Sequence, residues 1–428
     1  MSTGCANSPH TLRIATGTPA GLRPGLIGLC LLLLEAAAHG SEPSAPPPPL
    51  SVPPPAWQEE LHFKYRADWR LYPEQTWLDE STAQQLPGIL LPPSQSEVSN
   101  LRLDLRAAPC EALDLELKPR HHLAYQEWQQ GSRAGEEKWN GTTYLNGWLI
   151  QVHPWDQLAV AYAREDQAWG PSYLVSPSNP FRNSNGRNLP QIEQPGMDFI
   201  KAIWTPSTRY SFSALANPDD GRANPPPLAA AGAPPEVLRA LHFQPTYALK
   251  GDVTAEDCTF SLIGSLNEQQ ERRLGGYTSW NVSDAVLAYG EAGAGPGGDL
   301  DYLLGSSYTF AHGGTLAAEY FHNGINREEA AADVARLTAT TGPYMGFLNH
   351  DYTLLQYRQG DIFQRVELVL RWIHALDDSS DRLAGEIEYA LNDHACWFVD
   401  GVLDLGLAQD EFGLLVQSIL LTGLRLTY

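Results

Sequence analysis

Fifteen ionisable side chains stand at every second place in otherwise apolar stretches, and they are the first chemistry this chain offers. They are Arg102, Asp104, Arg106, Asp114, Glu116, Lys118, Lys201, Glu319, Arg365, Glu367, Arg371, Arg382, Glu386, Glu388 and Arg425. Eight are cations and seven are anions. Charges of both signs on one face cannot sit in a dry interior without pairing, because each ion forfeits its hydration there. Facing water, they order it, set up a transverse field and meet polar solutes. The row is close to neutral while the whole chain carries a net charge of −22, so the acidic excess lies in connections and in the N-terminal region. That balance argues against a nucleic-acid partner, which wants a basic face.

A second chemistry lies in residues 168–181, Ala-Trp-Gly-Pro-Ser-Tyr-Leu-Val-Ser-Pro-Ser-Asn-Pro-Phe. Prolines stiffen this stretch and Gly170 permits a tight bend. Trp169, Tyr173 and Phe181, followed by Asn183, Asn185 and Arg187, suit a loop that narrows a lumen or stacks on the apolar faces of sugar rings. Within a lumen, Arg187 is in reach of Glu386 or Glu388, and Asn185 of Arg371.

Enzymatic chemistry finds little support. The chain has no Gly-x-Ser-x-Gly elbow, no His-Glu-x-x-His and no phosphate-binding loop, and its histidines are scattered. Beyond residue 40 only Cys110, Cys258 and Cys396 remain, too few for a disulfide framework and without a Cys-x-x-Cys pair. Asp377, Asp378 and Asp381 cluster without the spacing of a calcium loop. No metal or cofactor is expected.

The elements that must position these groups are strands. Leu101, Leu103 and Leu105 alternate with Arg102, Asp104 and Arg106, and Leu113, Leu115 and Leu117 with Asp114, Glu116 and Lys118. Strict alternation is the period of a strand with one greasy and one charged face. The connections come in two kinds that take turns. Long polar ones fall at 129–137, 169–196, 217–240, 267–274, 291–299, 323–343, 376–381 and 408–412. Short ones fall at 153–156, 206–208, 251–256, 281–284, 311–314, 359–361 and 392–395. Counting between them yields sixteen strands, and adding the hairpin 100–118 yields eighteen, the preferred number. Low charge (18%), 10% aromatics and the lack of an apolar run of helical-span length after the N-terminal region fit a membrane barrel better than a helical membrane protein. The expected fold is an all-β, transmembrane, antiparallel up-and-down β-barrel occupying residues 98–428.

Ahead of it, residues 1–40 have the pattern of a secretory signal: Arg13 and Arg23, then an apolar run to Ala38, ending in small residues. Residues 41–56 form a proline-rich tether. Residues 57–97, aromatic but irregular, are expected to be a periplasmic or plug-like segment.

The last stretch, 413–428, alternates to its end through Leu424, Leu426 and Tyr428. It resembles the assembly signal of Gram-negative outer-membrane barrels, although members of that class end more often in Phe. The resemblance implies an integral outer-membrane protein. Its expected partners are barrel-assembly machinery, outer-membrane lipid and lipopolysaccharide. The opening Trp169-Gly170-Pro171, with Leu189-Pro190 beyond it, resembles the capsule-assembly outer-membrane lectin family and also porin-like barrels. Function is therefore expected to be a porin-like channel for small polar solutes. Saccharide attachment or export is the alternative, and an outer-membrane enzyme ranks third.

Overall fold

The computed structural model describes residues 62–78, 92–181, 193, 196–219, 221, 245–268, 271–295, 300–324, 347, 349–407, 410–413 and 416–428. Contacts divide the chain after Pro54, and every described residue belongs to the unit that starts at Pro55. The expected signal at 1–40 and tether at 41–56 lie outside the described residues.

Eighteen strands follow in chain order. The first nine are β1 (Lys64–Leu78), β2 (Gln95–Cys110), β3 (Leu113–Glu127), β4 (Glu137–Trp155), β5 (Leu158–Glu165), β6 (Met197–Ser207), β7 (Tyr210–Asp219), β8 (Thr246–Thr254) and β9 (Cys258–Asn267). The second nine are β10 (Arg272–Ser283), β11 (Val286–Ala294), β12 (Leu300–Thr309), β13 (Thr315–His322), β14 (Asp351–Ile362), β15 (Val366–Ala375), β16 (Asp381–Asn392), β17 (Ala395–Leu405) and β18 (Val416–Thr427). Each pairs antiparallel with its neighbours in sequence, and β18 returns to pair with β1 from Asp68↔Thr427 to Leu78↔Val416. The backbone of Tyr428 extends that seam, exchanging two hydrogen bonds of 2.9 Å with Ala67. The result is a closed up-and-down barrel, which leaves no strand edge unpaired.

Connections of two to five residues at one end alternate with connections of four to thirty-one at the other, from 268–271 up to 166–196. This is the expected beat, and it makes every β-hairpin open toward the same rim.

Alternation sorts the side chains. Tyr247 and Leu249 on β8, Phe260 and Leu262 on β9, Leu304 on β12 and Leu370 on β15 are exposed on the outside. Their neighbours in sequence, among them Ala248, Ser261, Ile263 and Leu303, are buried inside. A continuous apolar outer surface of this extent is one that water does not solvate well.

Two expectations need correction. Residues 64–78, placed in a periplasmic or plug-like segment, form β1, a full member of the wall. Tyr65, Ala67, Trp69 and Leu71 supply its apolar row and Arg66, Asp68 and Arg70 its polar row. Residues 95–97 likewise open β2. The strand number is eighteen as expected, but its composition differs. Leu113 to Lys118 is the start of β3, already counted as the strand before the 129–137 connection. The eighteenth strand is β1.

A candidate channel and its folded loop

The inner face of β15 to β18 and β1 to β3 carries most of the expected charged row. Cross-strand register places Arg102, Asp104 and Arg106 (β2), Lys118 (β3), Glu367 and Arg371 (β15), Arg382, Glu386 and Glu388 (β16) and Arg425 (β18) on one continuous inner surface. Lys201 on β6 points inward as well, opposite Ala161. Arg365 does not belong to the wall. It lies in the short turn ahead of β15, with Nη1 3.5 Å from the Tyr389 hydroxyl.

Most of these ions are paired. Arg425 grips Glu388 through two nitrogens, at 2.5 and 2.7 Å. Arg70 holds Asp68 at 2.8 Å. Arg106 and Lys118 share Glu116 at 3.1 and 3.0 Å, with Arg106 mostly exposed. Three of the expected lining residues are instead packed away. Arg371 is 5% exposed and bonded to Gln356 at 2.9 Å, Arg382 pairs with Asp404 at 2.7 Å beneath the Phe412 ring, and Lys201 pairs with Glu165 at 2.6 Å. They were expected to face water, but folded loops cover that part of the wall.

The main covering is the connection from β5 to β6. Its residues 169–181 turn into the lumen. Ser172, Leu174, Ser176, Ser178 and Asn179 are almost wholly buried. Two wall carboxylates hold them. Glu291 on β11 accepts from Ser172 N–H (3.1 Å) and from the hydroxyls of Ser172 (2.6 Å), Ser176 (2.7 Å) and Ser178 (2.9 Å). Glu319 on β13 accepts the N–H groups of Tyr173 (2.6 Å) and Leu174 (2.8 Å) and the Tyr289 hydroxyl (2.7 Å). Backbone amides that leave a strand ladder need such partners when buried.

Apolar contacts complete the seat. Leu174 and Val175 join Tyr289, Leu303, Phe321, Tyr352, Leu354, Ile373 and Phe412 in one core inside the barrel, and Tyr173 packs on its edge. Trp169 and Phe181 pack on Met197, Phe199 and Leu215 of β6 and β7. Glycines make the approach possible. A Cβ on Gly275 of β10 would lie 2.6 Å from the Ser178 carbonyl oxygen, and one on Gly293 of β11 would strike that of Pro177. Gly170 adopts φ +82°, and a Cβ there would strike the Glu291 carboxylate.

Glu193, farther along the same connection, reaches the basic side of the wall. Its carboxylate meets Arg120 of β3 through Nε at 2.8 Å and Nη2 at 2.5 Å, and lies 3.8 Å from Arg102 Nε. Arg120 also binds Asp104 at 2.9 Å. The connection thus touches the wall at β6, at β10 to β14 and at β2 and β3. Asn183, Asn185 and Arg187, with their suggested pairings, lie outside the described residues.

A second, smaller infold is the turn Glu411–Gly413 before β18. Asp378 fastens it. Burial works to raise the Asp378 carboxyl, but the N–H of Glu411, the Asn349 amide and Ser380 outweigh burial and hold it below the usual carboxylate range. These bonds measure 2.9, 2.8 and 2.9 Å. The acidic cluster at 377–381 therefore serves as a clip, and no group of three or more metal-ligand side chains occurs among the described residues.

Glu291, Arg120 and Glu193 were not among the expected site residues. The connection expected at 291–299 begins on Glu291, although Tyr289 and Glu291 alternate with Ala288, Gly290 and Ala292 as an inward row does. No sequence signal joins Arg120 to Glu193, because their partnership exists only once the loop folds back.

Trp169, the residue suited to sugar stacking, has its ring engaged. Phe181 meets it edge-on at 5.4 Å and the Lys250 ammonium sits 5.7 Å from its centre. At the seam, Leu424 and Leu426 face outward, and Tyr428 is exposed and stacks on His394 at 5.8 Å.

No family model matches the chain, and no curated protein matches it. Among solved structures, a triple mutant of the Rhodopseudomonas blastica porin is 12% identical with a TM-score of 0.43, covering 86% of this chain and 100% of its own. OccK5 (OpdH) of Pseudomonas aeruginosa is 10% identical with a TM-score of 0.49, covering 86% of this chain and 99% of its own. The barrel assignment rests on the closed ring of strand pairings.

Proposed function

We propose that the chain is an integral barrel of a Gram-negative outer membrane and works as a porin-like channel for small polar solutes. The carrying observation is the uneven lumen. Residues 169–181 and 411–413 fill it against β6, β7 and β10 to β16, while Asp104, Arg106 and Lys118 remain on a wall with partly exposed charges. A passage lined by fixed ions of both signs lets a hydrated polar solute trade water for wall contacts at little cost, and excludes apolar ones. The outer apolar belt supports the membrane setting, since strands can cross lipid only in a closed barrel. Outer-membrane lipid, lipopolysaccharide and the barrel-assembly machinery are its proposed partners, with the alternating end of β18 and Tyr428 as the assembly signal.

The test is swelling of liposomes that contain the purified protein, in solutes of graded size. Small amino acids and monosaccharides should enter and larger oligosaccharides should be held back. Protein that inserts and admits no solute would end the proposal.

A further inference from the structure

On the inner face of β16 to β18 and β1, Glu386, Asp400, Leu421 and Glu74 form one cross-strand row. Glu386 and Asp400 stand directly opposite each other, and residues so placed on an antiparallel pair bring their Cβ atoms to about 4.5–5.5 Å. Two carboxylates at that spacing repel each other if both are ionised. Both oxygens of Asp400 are sealed from water and meet no hydrogen-bond donor among the described residues. An anion so placed would forfeit its hydration with nothing in return.

Its surroundings are apolar. Val402 and Ile419, one step toward the long connections, pack with Leu78 and Val416. Phe398 lies one step toward the turns, and Tyr72 meets its ring edge-on at 6.0 Å. The arginines of the adjoining rows are engaged elsewhere. Arg425 grips Glu388, Arg70 holds Asp68 and Arg382 pairs with Asp404. Arg102, beyond Tyr72, faces Glu193. Arg371 bonds Gln356, and its charge acts on Glu386 as well. Asp400 feels the carboxylates of Glu386 and Glu388 more strongly than it feels Arg70 and Arg425. The other ionisable groups nearby, Tyr72, Glu74, Glu367 and Cys396, add no positive charge.

We infer that Glu386 and Asp400 hold one proton between them and act as a titratable filter in the lumen. Asp400 carries the proton and donates it to Glu386, which Arg371 favours as the anion, in a charge-assisted hydrogen bond. The buried carboxyl thereby gains the partner it otherwise lacks. Glu386 is partly exposed to the lumen, so the pair exchanges protons with the water of the passage. On release the O–H bond breaks, its electron pair stays on Asp400 and the proton passes to that water. The charge of the pair then goes from one negative unit to two, and cation selectivity rises with pH. The effect on transport rests on the channel reading given above, whereas the shared proton does not.

The test has two arms. Infrared difference spectra of the full-length protein in detergent, unaltered against Asp400→Asn, read the carbonyl stretch of a protonated carboxyl at neutral pH. Reversal potentials in a planar bilayer under a salt gradient, from about pH 6 to about pH 10, cover a range in which ordinary carboxylates stay ionised. The unaltered protein should show the acid band, and its cation-to-anion permeability ratio should rise roughly twofold as the band is lost on alkalinisation. Asp400→Asn, which imitates the protonated state, should match the unaltered ratio at neutral pH and lack the rise. Glu386→Gln offers Asp400 an amide donor and should also hold a constant ratio, so it carries both arms if the first variant does not fold. Absence of the acid band, with cation selectivity that falls at neutral pH on Asp400→Asn, would show two ionised carboxylates and overturn the inference. A conducting channel with neither band nor rise refutes the pair alone. Inserted protein that shows the band and passes no current supports the shared proton and refutes the channel reading.

Discussion

Replacing Glu291 by Ala should unseat the infolded loop while leaving the barrel closed. The carboxylate accepts one backbone and three hydroxyl donors from residues 172–178, all buried. A hydrogen bond to a charged group contributes about 1.5–3 kcal/mol, but removing a buried anion returns several kcal/mol of desolvation. Three serine hydroxyls can also turn to other acceptors, as Ser176 does toward the Trp169 carbonyl at 2.8 Å. The net loss is therefore about 2–4 kcal/mol, a rise of roughly 30- to 700-fold in the fraction of time the loop is detached. Glu291→Gln keeps one accepting oxygen and the side-chain volume, and its effect should be smaller. Limited chymotryptic cleavage after Tyr173 and Phe181 reads the detached population, provided reclosing outpaces cutting. Heat-modifiable migration of the uncut protein verifies the wall. Cleavage of Glu291→Ala at the natural rate, in an intact barrel, would refute the claim that this carboxylate holds the loop.

Three further outcomes follow from the same geometry. Glu193→Gln removes the anion that faces Arg102 and Arg120, so reversal potentials under a salt gradient should shift toward anions; an unchanged potential would place that cluster off the ion path. Deleting Tyr428 removes two seam hydrogen bonds with Ala67, and the precursor should accumulate in a protease-sensitive form; normal yield of assembled barrel would exclude it as an assembly signal. The Asp378 carboxyl is held low in the folded state, so the stability it contributes is complete above about pH 4, the ordinary carboxylate range, and is lost as pH falls through its folded value. Hydrogen exchange at 410–413 should accelerate there, and Asp378→Asn should abolish the acid step.

Much of the wall was legible because a barrel writes its two environments on alternate residues. Leu101 to Arg106 shows the pattern plainly, and the beat of short and long connections carried the topology. β1 was missed for local reasons: Pro73 removes a ladder donor, and Glu74-Gln75-Thr76 after it blurs the alternation. The loop's entry into the lumen could be argued from Gly170 and its stiff aromatic opening. Its anchors could not, because Glu291 and Glu319 lie more than a hundred residues away and act through pairing that only the closed ring creates. The same closure covers Arg371 and Arg382, whose exposure depends on what folds above them.

The most direct measurement of the central claim is the current through single copies of the unaltered protein in a planar bilayer, compared with a variant in which residues 167–195 are replaced by a short glycine-serine linker. A water-filled passage narrowed by that connection predicts discrete steps from the natural protein, and larger, less ion-selective steps from the variant. Equal steps from both, or no current from natural protein that has inserted as an intact barrel, would contradict it.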